Sequence, residues 1–180
     1  RSGVVARVFD QRIDGLIVLA PSPRGLEFTN RGDARVAGSE LQWRWAAGAW
    51  RIDAGWVHLM RQGDTQSPQD LVKLQGSWFT ETGWVAGLAI EAASESPRAS
   101  RLQAARPALN PEASRYALVD AHLEMPLGRW WPALGSNAAV SLRLRNAFDR
   151  EVWQPTAVPP INTMPYQPGR SWRLAIHLPF

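Results

Sequence analysis

Cysteine is absent from the 180 residues. That excludes a disulfide scaffold, thiolate zinc sites and cysteine nucleophiles. No apolar run approaches the ~18 residues that a membrane-crossing helix needs. Lysine is nearly absent too, Lys73 being the only one among twenty basic residues. The sequence pI of about 10.6 therefore reflects arginine's very high pKa, because the formal net charge is only +4. Arginine is scattered, with acidic residues close behind it in Arg12/Asp14, Arg31/Asp33 and Arg51/Asp53. A nucleic-acid binder concentrates its charge on one face or in blocks, so no nucleic-acid partner is expected. The glycines form no dinucleotide fingerprint or phosphate loop. No basic-then-apolar leader follows Arg1, and the chain is expected to begin after processing or inside something longer.

Fourteen glycines and fourteen prolines argue against a helical bundle, because both break helix interiors. A period of two dominates instead. Trp172, Leu174, Ile176, Leu178 and Phe180 alternate with Ser171, Arg173 and His177. Val140, Leu142 and Leu144 alternate with Ser141, Arg143 and Arg145. Ala117, Val119, Ala121, Leu123 and Met125 oppose Asp120, His122 and Glu124. Similar runs hold Leu41, Trp43 and Trp45; Val72, Leu74 and Trp78; and Trp84, Ala86, Leu88 and Ile90. Noisier strands over about 2–19 and 49–61 complete a set of about eight.

The connections alternate in length. Short turns fall at 46–49 and 81–83, with a slightly longer one at 128–136; long polar links fall at 20–30, 62–69, 94–114 and 149–170. An up-and-down antiparallel sheet sends alternate connections to opposite ends. The expected fold is all-β, an antiparallel up-and-down transmembrane β-barrel segment with short turns at one end and long loops at the other. Ten tryptophans fit this layout. Trp43, Trp45, Trp50, Trp78, Trp84, Trp130 and Trp131 gather at the short-turn end, and Trp153 and Trp172 near the opposite rim, as aromatic belts do at membrane interfaces.

The last third of the chain resembles the C-terminal strands of TonB-dependent outer-membrane receptors. A strand ending in Asn146-Ala147-Phe148-Asp149 is followed by a loop, then Pro168-Gly169-Arg170 and a final strand, Trp172 to Phe180. The N-terminal part resembles the same family through Phe9 to Leu19, Thr29-Asn30-Arg31-Gly32 and Gly38-Ser39-Glu40-Leu41. Ala147 stands where Leu is commoner, and Pro179 removes a ladder donor next to the last residue. The resemblance implies that residues 1–180 are a single C-terminal segment of a receptor barrel without its plug domain. It further implies import of iron–siderophore complexes or a vitamin such as cobalamin. The implied partners are outer-membrane lipid and lipopolysaccharide, the barrel-assembly machinery, and TonB through the missing N-terminal plug. Trp172, Leu174, Ile176, Leu178 and Phe180 resemble the terminal signal by which such proteins are recognised for assembly.

Asp120, His122 and Glu124 share one strand face, a spacing that acid–base chemistry could use. A polar lumen wall explains them more simply, with Arg143, Arg145 and Arg173 facing the same lumen and pairing with Asp120 and Glu124. Three histidines on separate strands give no metal-ligand spacing, so no metal, cofactor or catalytic residue is expected. Residues 100–105 are expected to make a helical turn. Two competing readings are a complete eight-stranded outer-membrane barrel, structural or lipid-modifying, and a soluble β-barrel binding protein with an apolar interior.

Overall fold

In a computed structural model, residues 1–15, 17–23, 25–30, 32–61, 67–96, 111, 113–155 and 163–178 are described. Eight of the twelve strands form one antiparallel sheet: β1 (Ser2–Ile13), β4 (Ala34–Ala47), β5 (Trp50–Arg61), β6 (Asp70–Phe79), β7 (Val85–Ala93), β8 (Tyr116–Pro126), β9 (Ala139–Arg145) and β12 (Ser171–His177). Neighbours in that list are the hydrogen-bonded neighbours in the sheet. Two small hairpins lie in the long connections: β2 (Ile17–Ser22) with β3 (Gly25–Asn30), and β10 (Trp153–Pro155) with β11 (Thr163–Pro165). No helix among the described residues is long and apolar enough to cross a membrane, which leaves crossing by strands open.

The eight expected strands are all present; the first is shorter than expected, and the last, expected to run to Phe180, ends at His177. The first ends at Ile13 rather than near 19, and the hairpin over 17–30 takes up both the expected end of that strand and the polar link expected at 20–30. Gly15 makes the break by adopting φ +72°, a conformation that costs glycine little. The expected helical turn at 100–105 lies outside the described residues.

The short turns have local causes. Between β4 and β5 a two-residue turn is built on Gly48 at φ +54°. Between β6 and β7 the Thr80 hydroxyl accepts the Trp84 N–H at 2.9 Å, and Gly83 turns at φ +86°. The third turn carries a short 3₁₀ helix, Pro132–Leu134, and is closed by the Leu127 N–H on the Ala138 carbonyl at 2.7 Å.

Register fixes the faces, because directly opposed residues of an antiparallel pair point the same way. Val4 opposes Trp43, which opposes Ala54, which opposes Leu74, then Ile90, then Val119. Leu123, Leu142 and Leu174 continue that apolar face. The other face carries Arg7, Glu40, Gln42, Asp53, Lys73, Gln75, Glu91, Asp120, His122, Arg143 and Arg173. The buried hydrophobic residues are few and small, mostly alanine, while Val8 is 81% and Leu174 68% exposed. A soluble barrel would reverse this, placing its large apolar side chains inside. On β1 the apolar row stops at Val8, and the next outward positions are Asp10, held by Arg35, and Arg12, which bridges Asp14 and Asp33.

Leu142→Arg should therefore impair insertion into lipid by about 2–4 kcal/mol at mid-bilayer depth. Ser141→Arg, one residue away on the polar face, should be much milder. Folding from urea into lipid vesicles measures both, and equal effects would contradict the assigned faces.

Candidate functional site

Part of the polar face is a wall of matched charges. Arg44 pairs with Asp53 at 3.4 Å, Lys73 with Glu91 at 3.0 Å, and Arg145 with Asp120 at 3.8 Å. These six residues line a concave groove of about 390 Å³, closed on one side by Tyr166 and Gln167 from the connection between β11 and β12.

Glu91 is the hub of this wall. Its Oε1 accepts the hydroxyls of Tyr116 at 2.9 Å and Tyr166 at 3.0 Å, while Lys73 holds Oε2. The chain has two tyrosines and both end here, their rings 5.8 Å apart. Residues 163–167 thereby form a strap tied to β7. Burial, and then the hydrogen bond to the Glu91 carboxylate, raise the Tyr166 phenol pKa above its ordinary 10.0. Gln167 Nε2 lies buried at this edge with no hydrogen-bond partner among the described residues.

A second network anchors the same connection. Asn146 is 1% exposed and adopts φ 50°. Its backbone N–H donates to Asp120 Oδ1 at 2.8 Å, and its side-chain amide exchanges two 2.8 Å bonds with the backbone of Arg150. Asp149, also left-handed at φ 52°, accepts the Arg170 N–H at 2.7 Å. A Cβ on Gly169 would stand 2.7 Å from Asp149 Oδ1, so that position is kept bare. The motif residues Asn146, Asp149, Gly169 and Arg170 thus meet in space, with Pro168 bordering them through its carbonyl; Phe148 points out, 71% exposed.

Asp120, His122, Glu124, Arg143, Arg145 and Arg173 share the polar face, as their alternation predicts. Of the expected ion pairs Arg145–Asp120 forms. Among the described residues Arg143 and Arg173 have no carboxylate partner and stand opposite each other. The His122 ring lies over Gly87, in the space a side chain there would need. Trp172, Leu174 and Ile176 sit on the apolar face with Leu178 exposed just beyond, and Phe180 lies outside the described residues. No group of three or more metal-ligating side chains is found among the described residues. The Glu91 hub carries no local sequence signal, since Tyr166 lies 75 positions away.

No protein-family model matches this sequence, and no curated protein matches it. Solved structures do. The ferric-catecholate import receptor Fiu from E. coli K12, in its closed form, matches with a TM-score of 0.70 at 16% identity, over 99% of this chain and 25% of its own. The FrpB iron transporter from Neisseria meningitidis matches with a TM-score of 0.68 at 16% identity, over 97% of this chain and 28% of its own. The copper transporter OprC matches with a TM-score of 0.71 at 16% identity, over 99% and 29%. These neighbours are TonB-dependent receptors, and the chain has the fold of a portion of such a transmembrane barrel, spanning about a quarter of their length.

The strap should respond to alkali. A raised phenol stabilises the closed strap fully below the ordinary value of 10.0, and that contribution fades as pH rises through the raised one. Tyr166→Phe and Glu91→Gln should each speed amide exchange in residues 163–170, and Tyr166→Phe should flatten the alkaline dependence. Hydrogen exchange followed by mass spectrometry reads both.

Proposed function

We propose that this chain is the C-terminal part of the barrel of an outer-membrane TonB-dependent receptor that imports a ferric siderophore or a similarly scarce nutrient. The observation that carries the reading is one sheet with two opposite solvents. Its outer face exposes Val8, Leu88, Leu142 and Leu174 as only hydrocarbon tolerates, and its inner face is a charge-balanced polar groove. The fold shared with import receptors supports transport rather than catalysis. The order of the motifs from Phe9 to Phe180 supports a C-terminal position, with a plug and its contact to TonB supplied by sequence beyond this segment. In such a barrel β1 and β12 pair with further strands, because unpaired backbone groups in hydrocarbon cost several kcal/mol each.

The neighbours carry different cargoes by name, ferric catecholate, iron and copper. The shared fold is therefore not what selects the ligand. Selection falls to the long connections and the plug.

Deleting the gene should abolish TonB-dependent growth on one member of a panel of ferric siderophores and cobalamin. Growth on every member, unchanged by the deletion, would refute the import reading. Removing Phe180 alone should lower the amount of protein in fractionated outer membranes, and unchanged abundance would argue against its role in assembly.

A further inference from the structure

The apolar row of β6 has a gap. Val72, Leu74 and Trp78 stand on the membrane face, and the position between Leu74 and Trp78 is Gly76. Its opposed residues on either side, Ile52 of β5 and Leu88 of β7, both carry large side chains. A Cβ on Gly76 would meet nothing within 4 Å. The gap opens a slot of about 410 Å³ walled by Ile52, Leu74, Leu88 and Ile90, with Trp50 and Trp78 at its short-turn end.

Nothing among the described residues explains a glycine there. A bare position inside a strand weakens it, and usually marks a tight bend or the close approach of another group. At Gly38 and Gly87 that group is visible: the His58 carbonyl and then the Phe9 ring at the first, the His122 ring at the second. Gly3 and Gly55 also open on free space, but on the polar face; at Gly76, on the apolar face, the backbone lies outside the left-handed region and no described neighbour fills the space.

We propose that the Gly76 slot seats one acyl chain of a phospholipid in the leaflet at the short-turn end. The inference rests on the membrane reading above. The slot is continuous with the membrane-facing side of the fold, and no charged side chain lines it. Water gains nothing there, whereas a hydrocarbon tail gains contact on three sides. The Trp50 and Trp78 rings, 6.3 Å apart, stand where indoles favour the boundary between tails and headgroups. The tail then lies along Gly76, and its ester and phosphate meet the two indoles.

The test uses the natural protein in vesicles of phosphatidylcholine doped with phosphatidylethanolamine whose acyl chains are brominated, since bromine quenches nearby indoles. Tryptophan fluorescence is read in the vesicles and again after extraction into mild detergent. In wild type, part of the quenching should survive extraction and disappear only on heating. Gly76→Leu should lose that residue of quenching, Gly76→Ala should lose part of it, and Ala6→Leu, the same apolar face but remote, should keep it. Heat-modifiable mobility on gels identifies folded protein, and Gly76→Ala, whose methyl meets open space, serves should the leucine variant not fold. Complete loss of quenching from wild type on extraction, or full retention by folded Gly76 variants, would overturn the proposal. So would a wild-type dimer dissolved by Gly76→Leu, which makes a second copy the occupant. Absence of quenching already in the vesicles would overturn the membrane reading together with it.

Discussion

Backbone hydrogen bonds in this sheet have nowhere to go but sideways. A strand whose outer face meets hydrocarbon cannot leave an N–H or C=O to the solvent, so each must be answered by the adjacent strand. On the membrane reading proposed above, the continuous ladder through the eight strands of the main sheet meets that constraint. The short turns follow from it. Gly48, Thr80 with Gly83, and the 3₁₀ segment after Pro132 reverse the chain while keeping the closing pairs in register. The Asn146–Asp149 corner obeys the same rule where β9 ends, supplying backbone donors and acceptors with partners as the ladder runs out.

The inner wall solves a different problem. Concentrating charge on a concave surface raises its electrostatic cost unless the charges are matched, and here they are matched locally. Arg44 with Asp53, Lys73 with Glu91, and Arg145 with Asp120 leave the groove close to neutral. Of the interleaved arginines and carboxylates that spoke against nucleic-acid binding, only Asp53 belongs to these pairs, and its partner is Arg44 on the neighbouring strand. A neutral, hydrogen-bonding wall suits a polar protein surface or a water-filled passage better than tight capture of one highly charged solute.

Most of the fold was legible in the sequence because period two is a local signal. Eight strands, both faces and the parity of the connections follow from alternation around residues such as Leu142, Asp120 and Trp45. The end of β1 was misplaced because apolar residues continue past Gly15 to Leu19, and alternation alone cannot distinguish one long strand from two joined by a tight turn. The site was legible only in part. The side on which Asp120, His122 and Arg145 lie follows from spacing, but which carboxylate meets which cation depends on strand stagger. The meeting of Tyr116 and Tyr166 on Glu91 depends on how a long connection folds back. Gly76 interrupts the apolar row between Leu74 and Trp78, but the slot it opens shows only against Ile52 on β5 and Leu88 on β7.

Every ladder in the main sheet joins strands that are consecutive in sequence, or that are separated only by a small hairpin. Growth of such a sheet is a one-dimensional zipper. Each added strand closes one loop against an edge already formed, so its entropic cost does not rise with the number of strands laid down. Register is likewise inherited from one neighbour at a time, and a displaced strand disturbs the next pair before any distant one. Stability and order of assembly then vary along the sheet as they do along a repeat array, and barrels of very different circumference can contain the same run of eight strands.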